Sequence, residues 1–241
     1  AIHATGKPVI LVLVTGKPFS IAWEKKHIPA ILIQWYAGEQ EGSSIANILF
    51  GKTNPSGHLT VSFPQSSGHL PAYYNHLPTD RGFYHKPGSY EQPGRDYVFS
   101  SPGPLWAFGH GLTYTTFNYT DMQIQQSIDS IKVFVTVKNT GRWAGKAVPQ
   151  LYVRDVFSSI STPVKQLKAF NKVALEPGET TRVPLHFAVQ DLALTDEAGK
   201  TMVEPGSFEI MIGDASDHIL LKQTISIGQN MAVSPCSIKE Q

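Results

Sequence analysis

Between residues 73 and 85 the chain gathers Tyr73, Tyr74, Asn75, His76, Asp80, Arg81, Tyr84 and His85. Flat aromatic faces next to hydrogen-bonding tips are what a surface needs to hold a polyhydroxylated ring, and loops carry such sites more often than frameworks do. A solvent-facing loop whose tyrosines pack down on the domain is the equal alternative. His76 and His85 do not read as metal ligands. Their spacing fits no usual pattern, and no Cys or carboxylate cluster supports them, so no metal or other cofactor is expected. Two carboxylates, Glu39 and Glu41, follow the end of an apolar run, the edge at which open α/β sheets place ligands. Favouring the positive end of a helix dipole is the preferred reading of both. Trp35 and Tyr36 sit at the same edge, where a ring either stacks on a sugar or packs against the following helix.

The elements that must position these residues are legible. Pro8 to Val14 is a Val/Ile/Leu run, and Ala30 to Trp35 is a second; both read as parallel strands covered on two faces. Pro18 opens a short helix carrying Phe19, Ile21, Ala22 and Trp23. Glu39 to Phe50 places Ile45, Ala46, Ile48 and Leu49 on one stripe and stops at Gly51, so it reads as a second helix. Asn54-Pro55-Ser56-Gly57 is a turn, and Leu59 to Phe63 returns as a third strand ended by Pro64. Strand and helix alternate as in repeated βαβ units with right-handed crossovers. Three strands are too few for a doubly wound domain, so the chain is expected to begin inside one.

Gln65 to Gly103, rich in Gly, Pro, Ser and Tyr, reads as a long loop. Trp106, Phe108 and Tyr114 around Gly109 and Gly111 read as structural anchors of a connector. From Phe117 short alternating segments follow: 131–138, 148–153, 167–175, 180–187, 207–212 and 219–227, with turns at Asn139-Thr140-Gly141, Glu176-Pro177-Gly178 and Glu204-Pro205-Gly206. About seven short strands over roughly 110 residues predict an immunoglobulin-like sandwich, of fibronectin type because no Cys pair is present. Asp155 and Arg182 read as solvated edge charges. Asn118-Tyr119-Thr120 is a sequon that matters only in a glycosylating pathway. The expected divisions are 1–66, a partial α/β sandwich; 67–116, loop and connector; 117–230, the all-β sandwich; and 231–241, a tail.

Composition narrows the partners. With 241 residues and 41% hydrophobic content the chain can build cores. Twenty basic and 19 acidic residues leave a formal charge of +1, and no basic run exists, so nucleic acid is not expected as a partner. No apolar run approaches the roughly 20 residues that span a bilayer, so no membrane partner is expected either. The single cysteine, Cys236, lies in the polar tail and leaves the redox compartment open.

The order AGEQEG, a helix ending in LFG, then NPSGHLTVSFP resembles the second domain of glycoside hydrolase family 3, the β-glucosidase and β-xylosidase family. Upstream, Gly6 to Leu13 followed by Thr15-Gly16-Lys17-Pro18 is similar to that family's preceding strand and turn. Downstream, Tyr73-Tyr74-Asn75-His76 and Pro104 to Tyr114 resemble its exit from the domain. Gln150 to Asp155 and Val203 to Gly206 resemble its fibronectin type III-like domain.

The resemblance implies a C-terminal fragment of an exo-acting hydrolase of β-linked glucosides, xylosides or oligosaccharides. It implies a retaining mechanism, which needs two carboxyl groups about 5 Å apart. In the family the nucleophilic Asp comes from a preceding barrel and the acid/base Glu lies earlier in the sandwich domain. Neither matches a residue here, so no catalytic residue is assigned and the isolated chain is expected to be inactive. The long loop borders the active-site entrance in the family, which is the basis for placing substrate contacts in it. The resemblance alone favours a periplasmic or secreted location, and exposed strand edges make a homodimer possible. A non-catalytic carbohydrate-binding or protein-interaction module is the alternative function.

Overall fold

The computed structural model describes residues 1–78, 91, 103–228 and 231–232. Its contacts divide the chain into two compact units, Ala1–Tyr74 with Thr79–Leu112, and Asn75–Pro78 with Thr113–Gln241. Among the described residues strands greatly outnumber helices, and most of the strands belong to a β-rich second unit.

In the first unit β1 (Ile10–Leu13), α1 (Ala22–His27), β2 (Ala30–Ile33) and α2 (Glu41–Leu49) follow one another. The strands β1 and β2 pair in parallel, Ile10 opposite Ala30 through Leu13 opposite Ile33. This is the βαβ connection read from the apolar runs, but the covering expected on both faces is absent among the described residues. Ile10 is 52% exposed, and neither strand contains a buried residue, because two strands and two short helices cannot enclose a sheet.

Leu59 to Phe63 does not return to this sheet as a third strand. It runs beside residues 105–110 instead. Phe63 N donates to Trp106 O (2.8 Å), Leu105 N to Phe63 O (2.7 Å), Leu59 N to His110 O (2.8 Å) and Gly109 N to Leu59 O (2.7 Å). The strand read over 59–63 does not form: Thr60 and Val61 bend, a single antiparallel bridge joins Phe63 to Trp106, and the partner of the segment is set by the aromatic anchors. Phe63 is fully buried, with the Trp106 ring edge-on at 5.8 Å and Trp35 at 6.1 Å. Lys25 reinforces the seam, its ammonium donating to Leu105 O and lying 5.2 Å from the Trp106 ring centroid.

The second unit contains β3 (Phe117–Gln126), β4 (Ser130–Asn139), β5 (Gly145–Ala147), β6 (Gln150–Asp155), β7 (Gln166–Phe170), β8 (Val173–Leu175), β9 (Thr180–Ala188), β10 (Leu194–Thr195), β11 (Thr201–Val203), β12 (Gly206–Ala215), β13 (His218–Ile227) and β14 (Met231–Ala232). Its main sheets run in the orders β13-β12-β6-β7 and β3-β4-β9, with smaller β10-β11-β14 and β5-β8 sheets. Strict alternation in β4 sends Ile131, Val133, Val135 and Val137 into the interior, all fully buried. They meet Val183, Leu185 and Phe187 of β9 and Leu151, Phe208, Ile210 and Ile212 from the other sheet. Full burial of each such side chain contributes about 1.5–3 kcal/mol, and the summed transfer is what holds the two sheets together.

The single strand expected over 167–175 is two. It breaks at Asn171-Lys172, where β7 leaves β6 and β8 turns to pair with β5. One segment thereby serves two sheets, as strands at sandwich corners do. A bulge interrupts β3 opposite β4 at Asp121, whose φ of 53° is the left-handed region that Asp tolerates better than most residues.

Tyr119 on β3 is buried, and burial, helped by the Asp214 charge, holds its phenol well above the ordinary tyrosine range. A raised folded-state pKa means that the native state keeps a proton the unfolded chain loses above about pH 10. Stability is therefore complete below that pH and declines above it. Urea denaturation between pH 9 and 11 should show Tyr119→Phe declining less steeply than the parent; equal slopes would remove Tyr119 as the cause.

Candidate functional site

The loop residues singled out above are placed as follows. Tyr73 and Tyr74 belong to the first unit, Asn75 and His76 to the second; Asp80, Arg81, Tyr84 and His85 lie outside the described residues. Tyr73 is 68% exposed and offers its ring to solvent. Tyr74 stacks on Phe108 at 4.2 Å with planes 16° apart, so one of its faces is already used. Asn75 is exposed. His76 has Nδ1 2.9 Å from Leu77 O, which fixes the proton on that nitrogen, and its carbonyl accepts from Val164 N at 3.0 Å. Among the described residues no three His, Cys, Asp or Glu side chains converge to hold a metal ion.

A second feature, within the first unit, lies at the edge where Trp35 and Tyr36 were expected, and its backbone strain escaped sequence reasoning. At the carboxyl end of β2, Trp35 adopts a φ of 59°. A positive φ at a bulky residue is a steric outlier costing on the order of 1–3 kcal/mol, and such strain concentrates at sites where geometry is imposed. The preceding Gln34 donates its backbone N–H to Leu13 O, while its Oε1 is buried with no hydrogen-bond partner among the described residues. Tyr36, next in sequence, is 77% exposed yet lies against Gly16, where an added Cβ would come within 2.7 Å of its ring. Thr15 Oγ1 holds this turn by donating to Lys17 O and accepting Lys17 N. Thus the edge where β1 and β2 end carries an exposed tyrosine, a strained tryptophan and an orphan amide oxygen. Nothing in the letters Gln34-Trp35-Tyr36 signals the backbone strain.

Glu41 is the first residue of α2 and Glu39 precedes it, both where a helix dipole favours negative charge. Asp155 differs from the solvated charge expected of it: burial raises its carboxyl above the usual range, against the Phe157 N–H that it accepts at 3.2 Å, and the Glu204 charge raises it further. Arg182 is exposed, but its guanidinium lies 4.2 Å over the Phe134 ring and donates to Gln123 Oε1 at 2.6 Å.

A parallel strand pair with its helices, an aromatic-anchored connector and a two-sheet sandwich define a β-rich chain with a fibronectin type III-like part. Residues 1–114 match the glycosyl hydrolase family 3 C-terminal domain, and residues 147–216 match the fibronectin type III-like domain. The first 114 residues thus match a glycosyl hydrolase family 3 domain, and the fibronectin type III-like match follows it along the chain. The chain is 42% identical over 224 residues to a periplasmic β-glucosidase of Salmonella typhimurium, covering 91% of this chain and 29% of that protein. It is 40% identical over 232 residues to a β-xylosidase of Formosa agariphila, covering 94% of this chain and 31% of that protein. The structure of a mutant β-glucosidase from Listeria innocua in complex with laminaribiose superposes with a TM-score of 0.84 at 34% identity, over 95% of this chain and 32% of that one. A β-glucosidase from Erythrobacter marinus gives 0.83 at 41% identity, over 93% and 29%. The chain therefore spans under a third of the length of each of these four relatives.

Proposed function

We propose that this chain works as the C-terminal part of a β-glucosidase-like, exo-acting glycoside hydrolase that cleaves β-linked glucosides or xylosides with retention. The observation that carries the reading is the order of its parts along one chain: a family 3 C-terminal match at 1–114, then a fibronectin type III-like match at 147–216, with 42% identity to a β-glucosidase across 91% of the chain. In this reading the first unit is part of an α/β sandwich, and the candidate substrate-binding residues are Tyr73, Asn75 and His76, with Asp80, Arg81, Tyr84 and His85 beyond the described residues. Tyr74 supports them from its stack on Phe108. The chain supplies no catalytic carboxylate. Its contribution is to bind and orient a substrate whose bond is broken by groups elsewhere in the longer protein.

Release of nitrophenol from aryl β-glucoside and β-xyloside tests this. The chain alone should be silent, and a longer protein extended upstream through a barrel domain should be active on one of the two. Turnover by the chain alone would place the carboxylates within it and overturn the reading. Silence in both would favour a non-catalytic carbohydrate-binding module.

A further inference from the structure

On the outer side of the sandwich an open groove of about 550 Å³ runs between β7 and β9, lined by Lys168, Phe170, Asn171, Pro184 and His186 with Leu167, Ala169 and Leu185 beneath. That volume lies within the ~300–1,000 Å³ usual for ligand sites. Each strand is the last of its sheet, β7 after β6 and β9 after β4, so the groove marks the place where the two sheets part. Along β9 the alternation buries Val183, Leu185 and Phe187 and turns Pro184 and His186 outward. On β7 Phe170 is 66% exposed, an unusual position for a phenylalanine that the core does not need.

The lining selects among ligands. An extended peptide adding to the β9 edge meets Pro184, which has no N–H, and whose carbonyl already accepts Asn171 Nδ2 at 3.4 Å. The Asn171 N–H is engaged with Pro149 O at 3.3 Å. A polyanion finds little charge, because the Lys168 ammonium donates to Asp191 O and faces the Asp191 carboxylate. What remains is a flat, solvent-facing ring flanked by an amide and an imidazole. That set suits a neutral pyranose, whose C–H face stacks on an aromatic while its hydroxyls take the side-chain polar groups.

We propose that the β7/β9 groove is a carbohydrate-docking site for a neutral β-linked oligosaccharide, with Phe170 as its stacking platform and Asn171 and His186 as its hydrogen-bonding rim. The ligand class rests in part on the function proposed above, but the site lies within the sandwich and requires no catalysis.

Its test is therefore a binding measurement. Titration of the full chain with cellohexaose and with xylohexaose should give saturable binding to at least one, by calorimetry. Phe170→Ala should weaken that binding about tenfold, equivalent to about 1.4 kcal/mol. Asn171→Ala should weaken it less, and Phe157→Ala, which removes an 88%-exposed phenylalanine outside the groove, should leave it unchanged. Thermal melts within a few degrees of the parent would show the variants to be folded. Amide shifts on titration should map to β7 and β9, a readout that survives failure of any variant. Binding by neither hexasaccharide, equal binding by Phe170→Ala, or shifts mapping elsewhere would each overturn the site. A longer protein that hydrolyses aryl glycosides while the groove binds nothing would refute this inference and leave the function standing.

Discussion

Asn139→Asp is expected to cost the sandwich about 3–5 kcal/mol, as removal of one partner from a buried, fully used polar cluster does. Asn139 ends β4 with no exposed surface, and every polar atom of its amide is committed. Nδ2 donates to Trp143 O at 2.8 Å and to Leu175 O at 3.0 Å. Oδ1 accepts Thr115 Oγ1 at 2.7 Å and Gly141 N at 3.1 Å. A carboxylate at this place keeps the two acceptor roles but turns an oxygen lone pair toward the Trp143 and Leu175 carbonyls. The folded protein escapes part of the cost only by protonating the new side chain. Its folded-state pKa is then raised, so the variant is most stable below the carboxyl's unfolded value and loses stability as pH rises past it. Urea denaturation from pH 4 to 8 reads both effects. Thr115→Val, which removes one donor and leaves the amide N–H pair intact, should cost about 1 kcal/mol. A loss below 1 kcal/mol at pH 7 for Asn139→Asp would mean that the cluster does not hold the end of β4.

The second large effect lies in the connector, where Gly111→Ala should release the 57–63/105–110 seam by about 3 kcal/mol. An added Cβ would stand 2.3 Å from the Gly57 carbonyl oxygen, closer than real contacts allow, and a tight 3.0 Å from the His58 ring. The obstacle is backbone, so no rotamer change removes it. Relief requires residues 57–59 to move from 109–111, and that motion strains three contacts at once: Leu59 N with His110 O, Gly109 N with Leu59 O, and His58 Nδ1 with Gly109 O at 2.5 Å. Amide exchange at Leu59 and Gly109 should quicken on the order of 100-fold, the factor that such a free-energy loss implies. Gly57→Ala makes the sharper control, since a Cβ there meets nothing within 4 Å. Equal acceleration in both variants would show that the crowding at Gly111 is not what matters.

The two cases also mark where reading the chain from its letters succeeds. Asn139-Thr140-Gly141 was legible as the end of a strand, because turn residues act locally on their own backbone. That the Asn139 amide also ties together Thr115, Trp143 and Leu175 was not legible, since those partners meet it only after the sheets have packed. Likewise the alternation of β4 determined which faces of Ile131 to Val137 turn inward, a period-two property of four adjacent pairs. The partner of Leu59 to Phe63 did not follow from its pattern. A short apolar segment pairs with whatever backbone the fold brings to it, and here Trp106 and Leu105, more than forty residues on, supply those partners.

For the candidate site the division is the same. Residue types alone put Tyr73 to His76 forward as candidates for meeting a sugar, and the family's motifs, spread in order along the chain, pointed to the match over 1–114. Only the tertiary structure showed Tyr74 closed by Phe108, Trp35 strained at the end of β2, and Phe170 left open beside Pro184 and His186. A side chain's chemistry is carried by the sequence. Whether its face, its lone pair or its backbone angle is already spent depends on neighbours that are distant in the chain, and packing alone decides which of them arrive.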